Sequence, residues 1–167
     1  AYSRDFESIS ASLRSYWLIA HVGFAKLAFG SILVAVGIAA LYILKERHSE
    51  EINTNSFLNR LPPLKVMDEL MYRFVASGLL FLTIMIGAGA IWANQTWGRY
   101  WGWDPTETWS LITWFVYGIC LHLRMNVGWT GKKVAWLIIF SIFLLAFSAF
   151  GVGYVYSGLH TDYLTSK

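Results

Sequence analysis

The sequence predicts an all-α integral membrane protein with four transmembrane helices, and three observations lead to this fold class. Of the 167 residues, 56% are hydrophobic and only 14% are charged, whereas a typical soluble domain has about 25% charged residues. Three long apolar runs match the roughly 20 residues that cross a bilayer. A fourth, shorter run follows a strong helix-start signal. We therefore expect residues 1–167 to form a single membrane domain that is covered by lipid.

The three clear spans are uncharged or nearly so. They cover residues 16–44, 74–92 and 134–155. The first is longer than a bilayer requires and contains one charge, Lys26. We therefore expect its N-terminal part to project beyond the hydrocarbon, with the lysine side chain reaching the interface.

The fourth span is predicted from the way it begins. Asp104, Pro105 and Glu107 form a capping-box pattern with proline at the first helical position, which satisfies backbone N–H groups that lipid cannot. A helix over residues 105–123 then spans roughly 28 Å. Capping accounts for both carboxylates, so we infer no acid–base catalysis from them.

Loop charges orient the predicted bundle. The inner loop, residues 45–73, holds five Lys or Arg, and residues 124–133 hold three. Only four lie in the two terminal tails and the outer loop, residues 93–104. By the positive-inside rule, both termini and this tryptophan-rich loop are extracytoplasmic. Within the inner loop, apolar residues at helical spacing from Leu64 to Phe74 predict an interfacial helix that leads into the second span.

Composition and motif searches exclude several classes of function. The single cysteine, Cys120, makes no internal disulfide, CxxC redox pair or thiolate metal cluster. The net charge is +3, but the 13 Lys and Arg are scattered and form no basic face for nucleic acid. No nucleophile beside a base and no phosphate-binding loop is present. We therefore predict no catalytic residue and no nucleic-acid partner.

The outer loop carries the least usual stretch of the chain, WGRYWGWDPTETW, between Trp97 and Trp109. Tryptophan belts occur at membrane interfaces, and a belt explains one or two of these rings. Trp97, Trp101 and Trp103 are interleaved with glycines, which also suits a stacking platform for a flat apolar cofactor. Residue chemistry alone leaves both interpretations open.

Histidines are the candidate metal ligands. His21 and His160 are predicted on the same outer side as the tryptophan-rich loop, and two imidazoles can ligate one haem iron from opposite faces. Each can equally be an interfacial polar residue. His122 lies late in the third span, where an interhelical hydrogen bond and a haem ligand are both open interpretations. His48, among the charges of the inner loop, is expected to be solvated.

Several motifs of the chain are similar to those of one known family. The main one is WGRYWGWDPTETWSLITW followed by YGICLHLR, and the others are IAHV, LPPLKVMDELMYRFVASGLL, GAIWAN and SGLH. Together they resemble the WWD signature and its surroundings in the CcsA (ResC) family of System II cytochrome c assembly proteins. The resemblance covers residues 15–162. One departure is Thr106, which stands where the family signature usually has lysine.

The resemblance implies a site for non-covalent haem b on the outer face, with His21 and His160 as axial ligands. It also implies a haem-binding loop that consists of Trp97, Trp101, Trp103 and Asp104. His122 corresponds to one of two transmembrane histidines of an inner haem site, whose partner in the family lies in a CcsB-like subunit. Lys26 and Arg99 are then the candidate cations for the haem propionates.

The implied function is presentation of haem for covalent attachment to an apocytochrome c with a CxxCH segment. The chain, which has no CxxCH itself, would act as part of a holocytochrome c synthase in a bacterial cytoplasmic membrane or a thylakoid membrane. A rival hypothesis is a haem b subunit that passes electrons between quinol and a cytochrome in a respiratory complex. A third hypothesis is a structural anchor whose tryptophans fix the protein at the membrane interface.

Overall fold

The computed structural model describes residues 15–48 and 57–155, and within these ranges it is built from helices and connecting turns. The elements are α1 (Tyr16–Arg47), a 3₁₀ turn (Phe57–Arg60), α2 (Leu64–Trp97), α3 (Pro105–Met125), α4 (Lys132–Ala146), a π-helical turn (Phe147–Gly151) and α5 (Val152–Val155). The four long helices form a closed ring, in which α1 packs on α2 and α4, and α3 packs on α2 and α4.

Three helices are long and apolar enough to cross a membrane: Tyr16–Arg47, Leu64–Trp97 and Lys132–Val155. The chain is therefore a multi-pass membrane protein, as predicted. Helix α3 has 21 residues, which is a sufficient length, but its sequence is more polar and includes His122 and Arg124. The fourth span and the sidedness of the loops stay predictions.

Both loops that flank α2 are shorter than predicted. The helix expected from Leu64 is continuous with the second span, so residues 64–73 belong to α2 rather than to the inner loop. At the other end, α2 continues to Trp97 instead of ending near residue 92. The reason is that residues 93–97 include no glycine or proline, and the next glycine is Gly98. Gly98 ends the helix in the left-handed conformation, with a φ of 73°. The tryptophan-rich loop therefore comprises residues 98–104, and Trp97 is the last residue of α2.

Small residues allow α1 and α2 to approach closely. The face of α1 that is buried carries Ala28, Ala35 and Ala39. On α2, Gly78 lies directly against Ile32 of α1, where a β-carbon would be 2.7 Å from Ile32 Cγ1. Small residues at such positions are typical of helix pairs in membranes, because close contact replaces the hydrophobic driving force.

Polar contacts define the two ends of the bundle. At the end that carries loop 98–104, here called the loop end, the Ser15 hydroxyl caps α1 by accepting a hydrogen bond from Trp17 N–H. The same hydroxyl donates a 2.8 Å hydrogen bond to Gln95 Oε1. The start of α1 therefore lies beside the end of α2, which brings His21 to the same end as the loop.

At the opposite end, a salt bridge joins α2 to α3. Asp68 Oδ2 lies 2.6 Å from Arg124 Nη1, and the two side chains are only 12% and 17% exposed. Asp68 Oδ1 also accepts a 2.7 Å hydrogen bond from the backbone N–H of Gly131, in the turn before α4. One carboxylate thus connects three elements.

We expect Asp68→Ala to destabilise the protein by about 3 kcal/mol, because the largely buried Arg124 guanidinium loses its 2.6 Å partner and keeps only a 3.8 Å contact with the half-exposed Glu69. Thermal unfolding in detergent measures the effect. Arg73→Ala is the matched control, since its ion pair with Glu69 is solvent-exposed on both sides and should contribute less than about 1 kcal/mol. Equal, small effects of the two substitutions would contradict the prediction.

Candidate functional site

A cavity of about 240 Å³ opens at the loop end of the bundle. Its wall is mainly apolar and aromatic, and includes Phe29, Tyr100 and Trp101. His21 and Glu107 supply its principal polar groups, together with several Ser and Thr hydroxyls. A largely apolar pocket with a few convergent polar side chains is the usual form of a small-molecule site.

The imidazole of His21 is held in a defined tautomer. Its Nδ1 lies 2.9 Å from the carbonyl oxygen of Met85 on α2. Because a carbonyl oxygen only accepts hydrogen bonds, Nδ1 carries the hydrogen, and the lone pair of the neutral ring lies on Nε2. Histidines that bind metals are generally oriented in this way, by a hydrogen bond from the second ring nitrogen to a carbonyl or carboxylate.

Gly89 provides the space that His21 occupies. A β-carbon at this position would lie 2.6 Å from His21 Nδ1, whereas a β-carbon at Gly87 would have nothing within 4 Å. The prediction from sequence identified His21 but not Gly89. The available signal was the run of small residues GAGA at positions 87–90, in a helix whose other residues are mostly large.

The loop presents its two central indoles in different directions. Trp101 lines the cavity, whereas Trp103 is 69% exposed. The rings pack edge to face, with centroids 5.8 Å apart and planes at 88°. Among the described residues, Trp103 is the one residue other than glycine with a positive φ, at 57°. This conformation costs an L-residue about 1–2 kcal/mol.

The predicted capping box at the start of α3 is confirmed. The Oδ1 atom of Asp104 accepts a 3.0 Å hydrogen bond from Thr106 N–H, and the Oε2 atom of Glu107 accepts a 3.2 Å bond from Asp104 N–H. Glu107 Oε2 also accepts a shorter, 2.8 Å bond from Gly102 N–H in the loop. Capping therefore does not account for all the contacts of Glu107, contrary to the prediction.

Three other residues predicted for the outer site lie near the loop end but do not line the cavity. Trp97 packs edge to face against Trp92, with centroids 5.0 Å apart. The guanidinium of Arg99 lies against Gly102, where a β-carbon would overlap it. Lys26 is exposed on α1. Their predicted contacts with haem stay predictions.

Of the three other histidines, two are exposed and one lies outside the described residues. His122 is exposed on α3, two residues before Arg124 and therefore near the end of the bundle opposite the loop. His48 is also exposed, as expected, and its Nδ1 makes a 2.8 Å hydrogen bond with the backbone carbonyl of Leu44. His160 lies outside the described residues. The structure thus places His21 and Trp101 together and His122 apart from them.

A π-helical turn completes the cavity wall. The turn Phe147–Gly151 contributes Ser148 and Ala149 to the cavity. The ring of Phe147 packs edge to face against Trp109 of α3, with centroids 4.7 Å apart. Such turns often occur at functional sites. The hydrophobic pattern of the predicted span 134–155 does not indicate this π-helical turn. A π-helical turn has one more residue than an α-helical turn, and a continuous apolar run looks the same with either.

Comparison with known proteins identifies similar chains. Residues 3–160 match the family model described as "Cytochrome C assembly protein". A protein named "Cytochrome c biogenesis protein CcsA" from Chlamydomonas reinhardtii is 36% identical over 90% of this chain and 41% of its own length. Proteins of the same name from Synechococcus sp. (strain RCC307) and Guillardia theta are 34% and 36% identical, each over 90% of this chain and 55% of its own length. The chain therefore spans about half the length of these curated relatives.

We expect Gly89→Ala to displace the His21 imidazole and to break its hydrogen bond with Met85, because the added methyl group takes the space of the ring. Loss of this bond should destabilise the protein by about 1 kcal/mol or more, measured as a lower midpoint of thermal unfolding in detergent. Gly87→Ala is the control. It replaces glycine by a better helix former in open space and should leave stability unchanged or raise it. Equal midpoints for the two variants would contradict the assigned packing.

Proposed function

The chain belongs to the cytochrome c assembly protein family, and from this premise we propose that it binds haem b at the loop end and presents it to an apocytochrome c. The observation that carries the proposal is the position of His21. Its imidazole lines a cavity whose wall also includes Trp101. Because Nδ1 is bonded to Met85, Nε2 is the atom proposed to coordinate iron.

The cavity suits one part of a porphyrin. Its volume of about 240 Å³ is below the roughly 300–1,000 Å³ of sites that enclose a drug-sized ligand. In this proposal the macrocycle therefore enters the cavity by one edge, where Tyr100 and Trp101 supply apolar and stacking contacts. His160, on the segment that follows α5, is proposed as the second axial ligand.

The proposed chemistry requires that the protein binds haem reversibly. Two neutral imidazoles hold the iron of a b-type haem without any covalent bond to the porphyrin. Release of one imidazole opens a coordination position for the histidine of a CxxCH segment, while the two cysteine thiols reach the vinyl groups. Lys26 and Arg99 are proposed to pair with the propionates, and Trp97, Trp103 and Asp104 to complete the loop part of the site.

His122 supports a proposal for a second site. It is exposed on α3, on the same helical stripe as the exposed apolar residues Phe115 and Ile119. A histidine on an exposed apolar face within a membrane is costly unless it has a partner. We propose that α3 is a fourth span and that His122 ligates haem together with a CcsB-like subunit that packs on this face. The membrane would be a bacterial cytoplasmic membrane or a thylakoid membrane.

The first test is the visible spectrum of the purified protein. Wild type should show a reducible low-spin haem, and His21→Ala and His160→Ala should each lower the haem bound at the loop end by at least about tenfold, since each removes an axial ligand of that site. His48→Ala is the control, because His48 is exposed and lies at the opposite end of α1. Haem that survives both ligand substitutions unchanged would refute the site.

A second test separates assembly from electron transfer. We expect haem bound to the protein and its copurifying subunits to become covalently attached to an added CxxCH peptide, detected as haem staining after denaturing electrophoresis. A peptide with both cysteines replaced by serine should acquire none, because no thiol can form a thioether. Haem that stays on the protein and is only reduced when quinol is supplied would contradict the proposed function and favour an electron-transfer subunit.

A further inference from the structure

Glu107 makes a contact that helix capping does not require. A capping box uses the bond from the carboxylate to Asp104 N–H, which is 3.2 Å long. The shorter bond, at 2.8 Å, goes to Gly102 N–H, two residues earlier in the loop. Both donors bind the same oxygen, Oε2. The carboxylate is thus shared between the start of α3 and the loop.

The two donors lie on either side of Trp103. That residue has a φ of 57°, a conformation that residues with a side chain adopt reluctantly. The Gly102 N–H belongs to the peptide unit between Trp101 and Gly102, and the Asp104 N–H to the unit that follows Trp103. The two bonds therefore hold the backbone at both ends of the Gly102–Trp103 segment. An ionised carboxylate is well suited to this, because hydrogen bonds to a charged acceptor are shorter and stronger than neutral ones.

The glycine between the two indoles leaves room for the side chain of Arg99. Gly102 receives Arg99 on one side, where a β-carbon would overlap the guanidinium. Its N–H donates to Glu107. Trp101 therefore points to the cavity and Trp103 to solvent from a backbone that is held by one carboxylate.

We propose that Glu107 is the positioning residue of the tryptophan-rich loop. Its carboxylate holds Trp103 in the left-handed conformation and thereby keeps Trp101 turned towards the cavity and Trp103 turned outward. The consequence for haem binding rests on the function proposed above, whereas the effect on the loop backbone does not.

Amide hydrogen exchange in the whole purified protein tests the backbone effect. In Glu107→Ala, the Gly102 and Asp104 amides should exchange at least about tenfold faster than in wild type, because both lose their acceptor. In Glu107→Gln they should stay within about threefold, since the amide oxygen can accept the same two bonds. Glu69→Ala, which removes a carboxylate at the opposite end of the bundle, should leave both amides unchanged.

The visible spectrum tests the consequence for the site. Glu107→Ala should lose or shift the haem bands, and Glu107→Gln should retain them. If Glu107→Ala unfolds, adding Trp103→Gly should recover thermal stability, because glycine adopts a positive φ without strain. Unchanged exchange in Glu107→Ala, failure of that recovery, or equal behaviour of Gln and Ala in both measurements would overturn the positioning role. If wild type binds no haem but the exchange pattern holds, the proposed function fails while the positioning role stands.

Discussion

The close approach of α1 to α2 at the loop end is the constraint on which the site depends. His21 lies against Gly89 and donates to the carbonyl of Met85, the same carbonyl to which an α-helix directs the N–H of residue 89. A carbonyl oxygen has two lone pairs and can serve both donors. A polar side chain inside a membrane protein must find such a partner. Here that partner also determines which ring nitrogen carries the hydrogen.

The two ends of the bundle share one type of contact, a hydrogen bond from a glycine N–H to a carboxylate. A carboxylate in the first turns of a helix accepts the N–H of a loop glycine in each case: Asp68 of α2 binds Gly131, and Glu107 of α3 binds Gly102. The helix dipole favours a negative charge at Glu107, which lies in the first turn of α3. Asp68 is also paired with Arg124, so its end of the bundle is fixed by charge neutralisation. Glu107 lines a cavity, which leaves its end suited to a ligand.

Local patterns in the sequence were sufficient to predict several features of the fold. The start of α3 at Pro105, with Asp104 as its cap, depends on neighbouring residues only. The meeting of His21 and Trp101 at one end follows from the alternating direction of successive helices. By contrast, the Gly89 packing and the bond from Glu107 to Gly102 depend on contacts between segments, which no local pattern records. The extension of α2 to Trp97 was missed because an aromatic loop and an aromatic helix end have the same composition.

The central claim is that iron binds Nε2 of His21 while Nδ1 keeps its hydrogen bond to Met85. Pulsed electron paramagnetic resonance of the oxidised, haem-loaded protein with ¹⁵N-labelled histidine tests it directly. The account predicts a strong coupling to a directly bound histidine nitrogen and a weaker one to its remote, protonated ring nitrogen. In the haem that His21→Ala still binds, one such set of couplings should be missing. A low-spin haem whose histidine couplings are unaffected by His21→Ala would contradict the account.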